Sequence, residues 1–330
     1  MDILDLVTDK AKLASAIEQQ QRKTQTIDAP ELIAYLQSKV IGQDKVAEDV
    51  AAQIRRRLLM KQRSKPIGVF CFAGPPGVGK THFAKVLAEK LSGDRKALQF
   101  FDMAQYAEPH AASTLFGQGK GYVGSDRYGT LTAALRNFPK AVILLDEFEK
   151  SHSEVHKRFL TAWNDGFVTE ASDGKRISTI DAIFILTTNA ASETIGQLAA
   201  SYADDRDMLV KSSKAALQEA GFAPEVLNRI DHVFAFRSLE GMDVARVVAL
   251  EIQSLVSQFD LTICENGIDY AILARIVSRS EDLKSGGVRE LSRVLEQELS
   301  DSIMAAKESG ASVIRLTQGD GGGVVAEVVE

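Results

Sequence analysis

The chain has 330 residues, 45% of them hydrophobic and 25% charged, a balance that supplies a substantial core and a length that fits about two domains. Lys and Arg number 39 against 45 Asp and Glu, a formal net charge of −6, which excludes a globally basic nucleic-acid binder or a surface drawn to anionic membranes. The two cysteines, Cys71 and Cys264, lie far apart; they exclude a disulfide framework and lack the paired spacing of a zinc site.

No run approaches the roughly 18 apolar residues of a membrane span, and the acidic start Met1-Asp2-Ile3-Leu4-Asp5 lacks a secretory signal's basic and apolar segments. A cytoplasmic location is the expectation. Residues 1–27 are polar and Gln-rich, with Gln19-Gln20-Gln21 near their end, and read as an extension or docking helix. Asp28-Ala29-Pro30-Glu31 then predicts a helix start, with Asp28 as cap, Pro30 in the first turn and Glu31 closing a capping box. After the Ile41-Gly42 break a second helix is predicted from about Asp44 to Gln62.

Short, continuously apolar runs follow at Val69–Phe72, Leu98–Phe101, Ala141–Leu145, Ala182–Leu186 and Val233–Phe236, alternating with helical segments. Continuous hydrophobicity marks strands covered on both faces, as in a mainly parallel sheet wrapped by helices. Beyond residue 236, helical periodicity over Leu239–Phe259, Tyr270–Ser278 and Val288–Lys307 predicts a smaller, mostly helical domain. Ser312–Leu316 and Val324–Val329 flank a Gly-rich turn and predict a closing hairpin. The expected organisation is an extension at 1–27, an α/β domain at 28–236 and a small domain at 237–330.

Gly74-Pro75-Pro76-Gly77-Val78-Gly79-Lys80-Thr81 lies between the first apolar run and a predicted helix from Thr81 to Leu91. Glycines at these positions let backbone N–H groups face phosphate, Lys80 reaches the β and γ oxygens, and the Thr81 hydroxyl can hold Mg²⁺. The third run ends on Asp146-Glu147: Asp146 is expected to hold Mg²⁺ through its water shell, and Glu147 to orient and deprotonate an attacking water. The fourth run leads to Thr187-Thr188-Asn189, where the Asn189 amide can position that water or touch the γ-phosphate.

Other residues read more plainly. His152 and His156 share one helical face but are expected to be solvated surface residues rather than a metal pair. Trp163 reads as a partly buried helix residue, and Arg55-Arg56-Arg57 as a solvated or subunit-facing edge.

Together these motifs resemble the AAA+ ATPases, most closely the second ATPase module of the Clp unfoldases and disaggregases, over roughly residues 30–317. The resemblance implies a three-layer α/β/α large domain with a mainly parallel five-stranded sheet and a small helical lid. Val40-Ile41-Gly42-Gln43 matches the element that lies against the adenine, Gly74–Thr81 the Walker A loop, Asp146-Glu147 Walker B and Asn189 sensor 1. Arg229, in Gly221–Asp231, falls on the arginine finger that reaches a neighbouring subunit's γ-phosphate, and Arg289, in Gly287–Leu291, on the sensor 2 arginine that contacts phosphate in cis. Gly119-Lys120-Gly121-Tyr122-Val123-Gly124 resembles the pore loop that grips polypeptide, with Lys120, Tyr122 and Val123 as its contacts.

By that resemblance the chain is an ATP- and Mg²⁺-dependent ATPase that assembles as a homo-oligomeric, hexameric ring. It would pull polypeptide through a central pore, with an adaptor contacting residues 1–27. Two alternatives stand beside it: the ATPase subunit of a two-component protease, and a DNA-associated nucleotide switch. The first is disfavoured by Ile195-Gly196-Gln197, where protease partners carry an apolar third residue; the second by the acidic balance and the Gly-Tyr-Val-Gly loop.

Overall fold

The structure, a computed structural model, describes residues 28–60, 62–92, 97–119, 127–282, 287–319 and 323–329. In chain order the elements are α1 (Ala29–Lys39), α2 (Asp44–Leu58), β1 (Gly68–Ala73), α3 (Lys80–Ser92), β2 (Leu98–Asp102), α4 (Ala112–Phe116), α5 (Thr130–Asn137), β3 (Val142–Asp146), α6 (Ser153–Asn164), β4 (Phe167–Thr169), β5 (Arg176–Ser178) and β6 (Ile183–Thr188). They continue with α7 (Ser192–Ser201), α8 (Arg206–Glu219), α9 (Pro224–Leu227), β7 (His232–Ala235), α10 (Met242–Gln258), β8 (Thr262–Ile268), α11 (Tyr270–Asp282), α12 (Gly287–Glu308), β9 (Val313–Gln318) and β10 (Val324–Val328).

All five apolar runs become strands of one parallel sheet in the order β2-β3-β6-β1-β7. Alternate residues feed opposite faces, as the pleat requires. Val69, Cys71 and Ala73 of β1 join Ile143 and Leu145 of β3 in one core with α5, α6 and α8. Phe70 and Phe72 point the other way, into a second core with α1, α2 and α3. Burying both faces is why β1, β3 and β6 lack an apolar-polar alternation, whereas edge strand β2 leaves Phe100 exposed. It is also why the Cys71 thiol, wholly buried, is pushed up to about 12 by burial.

A third core gathers Val248, Ile252 and Val256 of α10 with Leu299 and Ile303 of α12 and Ile314 and Leu316 of β9. The predicted hairpin is present: β10 pairs antiparallel with β9. A third strand was not anticipated. Strand β8 pairs parallel with β9 through a register shift between Ile263 and Ile268, with Asn266 at φ 53°, so its polar, bulged middle hides the strand pattern.

The start of α1 differs from expectation. Asp28 makes no capping bond; Glu31 turns away to the ammonium of Lys90 on α3, 2.6 Å away, so the capping box is replaced by an interhelical ion pair. Helix α2 stops at Leu58, short of Gln62, and Arg63 is drawn to Asp181 at 2.5 Å. Trp163 is 2% exposed rather than partly buried, because Phe148, Phe159 and Phe184 enclose it.

Candidate active site

The carboxyl ends of β1, β3 and β6 lie side by side, with Leu145 in register with Leu186 and Ala73 with Thr188. This is the edge of an open parallel sheet where ligands collect. From Ala73 the chain turns through Gly74, Gly77 and Gly79 at φ 149°, 76° and 93°, values that L side chains rarely adopt. Gly74 has a second reason to lack a side chain: a Cβ there would lie 2.5 Å from the Phe236 carbonyl. The turn delivers the chain directly into α3, whose first residue is Lys80, so helix N–H groups face the same space.

Lys80 is 7% exposed. Its ammonium donates to the carbonyls of Gly74 and Pro75, both at 2.7 Å, and to Asn189 Oδ1 at 2.8 Å. The hydroxyls of Thr81 and Thr187 both donate to Asp146 Oδ1 at 2.7 Å. An adjacent hydroxyl and carboxylate form the hard-oxygen pair that suits a hydrated Mg²⁺ ion.

Glu147 follows Asp146 in the left-handed region, φ 55°, and lines the same cleft as the loop. Its N–H donates to Thr187 Oγ1 at 3.0 Å; Oε1 accepts from Asn189 Nδ2 at 3.4 Å, and Oε2 pairs with Lys150 at 2.7 Å. Asn189 therefore sits between Lys80 and Glu147. Its own N–H donates to Glu149 Oε1 at 3.0 Å. The supporting roles of Thr187, Glu149 and Lys150 escaped the sequence reading; their one signal was proximity to Asp146-Glu147 and Asn189, and side-chain direction there depends on strand register.

A cleft of about 540 Å³ joins these groups. Val40 and Ile41 line its apolar end with Leu239, Val247 and Leu250, while Pro76 to Thr81, Asp146, Glu147 and Asn189 line the polar end. Gly74 and Pro75 stand behind, holding Lys80. Gln43, 3% exposed, ties the ends together: Nε2 donates to the carbonyls of Val78 at 3.3 Å and Arg237 at 3.0 Å, and Oε1 accepts from the Arg237 N–H at 3.3 Å.

Arg229 lies apart from this cleft. Its side chain is exposed and makes no ion pair among the described residues. Asp231 is engaged elsewhere, by Arg57 at 2.5 Å and the Val69 N–H at 2.9 Å. Arg57 is thus an internal tether rather than a free edge, whereas Arg55 and Arg56 are exposed. Arg289 is on α12, in a stretch whose side chains fall outside the described residues, as do Lys120, Tyr122 and Val123. Ile195-Gly196-Gln197 is within α7, with Ile195 fully buried.

His156 is not a solvated residue. Its ring stacks on Phe148 at 4.2 Å and lies 3.1 Å from the Phe148 carbonyl and 3.0 Å from Ser151 Oγ, while burial lowers its proton affinity. His152 instead caps α6, accepting the Glu154 N–H at 3.2 Å. No group of three potential metal-ligating side chains occurs among the described residues.

A glycine-lined phosphate loop, a strand-end Asp-Glu pair and a strand-end amide meeting on one cleft define a nucleoside triphosphatase of the P-loop class. Comparison with known proteins narrows this. The model of the family described as AAA domain (Cdc48 subfamily) matches residues 65–233. The chain is 35% identical over 277 residues to the ATP-dependent Clp protease ATP-binding subunit ClpE of Bacillus subtilis, covering 83% of this chain and 39% of that protein. It is 38% identical over 274 residues to Chaperone protein ClpB 1 of Synechocystis, covering 83% and 30%. It is 35% identical over 279 residues to the negative regulator of genetic competence ClpC/MecB of Bacillus subtilis, covering 81% and 34%. The chain belongs to the AAA family, among its Clp-type ATPases, and is an ATPase. It spans between 30% and 39% of the length of these relatives.

Proposed function

We propose that this ATPase is a polypeptide-remodelling motor: a homo-oligomeric, hexameric ring that couples ATP hydrolysis to pulling protein chains through its centre. The observation that carries the reading is the chain of contacts from Lys80 through Asn189 to Glu147, which links the phosphate loop to the catalytic carboxylate. Val40 and Ile41 hold the base, residues 74–81 and Lys80 hold the phosphates, and Thr81 with Asp146 would hold Mg²⁺. Bound there, the ion supplies charge neutralisation to the β and γ oxygens. Glu147 takes a proton from the attacking water as that water's oxygen bonds the γ-phosphorus and the bond to the β–γ bridging oxygen breaks. Asn189 keeps the water and Glu147 aligned.

Arg229 completes a neighbouring subunit's site, a role that fits an exposed arginine with no ion pair among the described residues. Such a trans arginine contributes about 10³ to 10⁵ in rate. Arg289 contacts phosphate in cis, and residues 237–330 act as a lid that follows the nucleotide. Lys120, Tyr122 and Val123 grip the substrate chain, and residues 1–27 receive an adaptor. The motor works in the cytoplasm. A protease-subunit reading gains no support from Ile195, whose side chain is buried in the core.

The test is unfolding of a stable fluorescent protein carrying an unstructured tail, followed as ATP-dependent loss of fluorescence. Wild type is expected to unfold it, and Tyr122→Ala to hydrolyse ATP without unfolding it. Unfolding by Tyr122→Ala at the wild-type rate would overturn the reading.

A further inference from the structure

Among the described residues two charged side chains are buried, Lys80 at 7% exposure and Glu170 at 0%. Lys80 serves the nucleotide cleft. Glu170 is remote from it, in the turn between β4 and β5, yet burying a carboxylate is costly unless its oxygens are fully engaged. They are. Oε2 accepts the Gly129 N–H at 3.0 Å and the Thr132 hydroxyl, and Oε1 accepts the Ser172 N–H at 2.9 Å. Burial alone would raise the proton affinity of this carboxyl, but the bonds from Thr132, Ser172 and Gly129 outweigh it and hold it below the usual range.

The partners share a location. Gly117 and Gly129 bracket the segment that contains Lys120, Tyr122 and Val123, and their backbones touch: a Cβ on Gly129 would lie 2.2 Å from Gly117 N and 2.3 Å from the Leu115 carbonyl. Gly117, at φ 83°, faces Glu170 so closely that a Cβ there would lie 1.6 Å from Oε1. The same turn adds two more ties, Ala171 N–H to the Phe116 carbonyl at 2.9 Å and the Tyr128 hydroxyl to Asp173 Oδ2 at 2.5 Å. One hairpin turn thus holds both stems of the segment at a glycine-glycine neck. The hairpin is itself anchored, because Thr179 donates its hydroxyl to the Ala162 carbonyl of α6 at 2.8 Å.

We infer that Glu170 is a positioning residue for substrate engagement: it locks the Gly117–Gly129 neck and so fixes the base from which residues 120–126 reach polypeptide. The inference rests on the proposed contact of Lys120, Tyr122 and Val123 with substrate. Glu170→Gln keeps size and shape but removes the negative charge that strengthens every bond to this carboxylate, the Gly129 bond included, and sets an amide NH2 against the Gly129 or the Ser172 N–H, whichever way it turns. No contact to the cleft changes.

Two readouts on the full chain decide it. In hydrogen exchange, Glu170→Gln is expected to speed exchange of the Gly129 amide by about tenfold, the loss of one charge-assisted bond, while peptides of β1 and β3 exchange as in wild type. In ATPase assays with casein as an unfolded-protein probe, the half-saturating casein concentration is expected to rise about fivefold with basal turnover unchanged. Unchanged Gly129 exchange, or faster exchange with an unchanged casein response, overturns the inference. Should Glu170→Gln fail to fold, Thr132→Val, which removes one donor, is expected to shift both readouts in the same direction by less, and no shift in either counts against the clamp. Tyr122→Ala separates the two proposals: an intact casein response there defeats the substrate-loop reading, while Gly129 exchange in Glu170→Gln still decides the clamp.

Discussion

Lys80 donates to Asn189 across 2.8 Å, joining the phosphate loop after β1 to the end of β6. Asn189 in turn lies 3.4 Å from Glu147. One short amide therefore contacts both the loop's ammonium and the Glu147 carboxylate.

Asn189→Ala should separate these effects. Lys80 keeps its two carbonyl partners, so affinity for a fluorescent ATP analogue is expected to stay within about threefold, while kcat falls about 10² because Glu147 loses its alignment. Equal losses in binding and turnover would show that Asn189 acts on the loop alone.

Lys80→Ala removes the largely buried cation proposed to hold the phosphates. Nucleotide affinity is expected to fall about 10² or more, the weight of one charged hydrogen-bonding group. Titration with the same analogue checks it; near-native affinity would remove Lys80 from the site.

Arg229→Ala should leave stability unchanged, since the side chain is exposed and without an ion pair among the described residues. Hydrolysis is expected to drop about 10³ with ATP still bound. Mixing Arg229→Ala with Lys80→Ala subunits should restore activity, because an intact loop from one variant meets an intact arginine from the other. Failure of every mixing ratio to recover turnover would place Arg229 outside the neighbouring site.

Two histidines predict a pH dependence of stability. Burial lowers the proton affinity of His156, and burial with Arg206 nearby lowers that of His232. Each binds a proton less readily in the fold than in the unfolded chain, where imidazole titrates near about pH 6.5. The unfolded state then holds more protons, so stability is lost as pH falls from about 7 through that value. Unfolding midpoints at pH 7.5 and 5.5 should show the decline, and His156→Gln should flatten it. A midpoint independent of pH over that interval would contradict the assignment.

The sequence displayed the sheet and the cleft's first layer because both rest on local patterns: apolar runs for β1, β2, β3, β6 and β7, and the fixed spacing of Gly74–Thr81 and Asp146-Glu147. Strand β8 was hidden by its bulge at Asn266, and the β4–β5 hairpin by strands of three residues each. The roles of half-buried Glu149 and buried Glu170 were illegible for another reason. Each carboxylate is defined by partners distant in sequence, Asn189 for one and Gly129 with Thr132 for the other. His156 misled because helical spacing with His152 says nothing of Phe148 stacked against it.

Glu147, set between Asn189 and Lys150 on the cleft, is proposed to activate the water that cleaves ATP. Single-turnover hydrolysis by Glu147→Gln, with bound nucleotide measured in parallel, tests it most directly. ATP is expected to bind at wild-type affinity and to be cleaved at least about 10² more slowly; cleavage at the wild-type rate would remove Glu147 from the reaction.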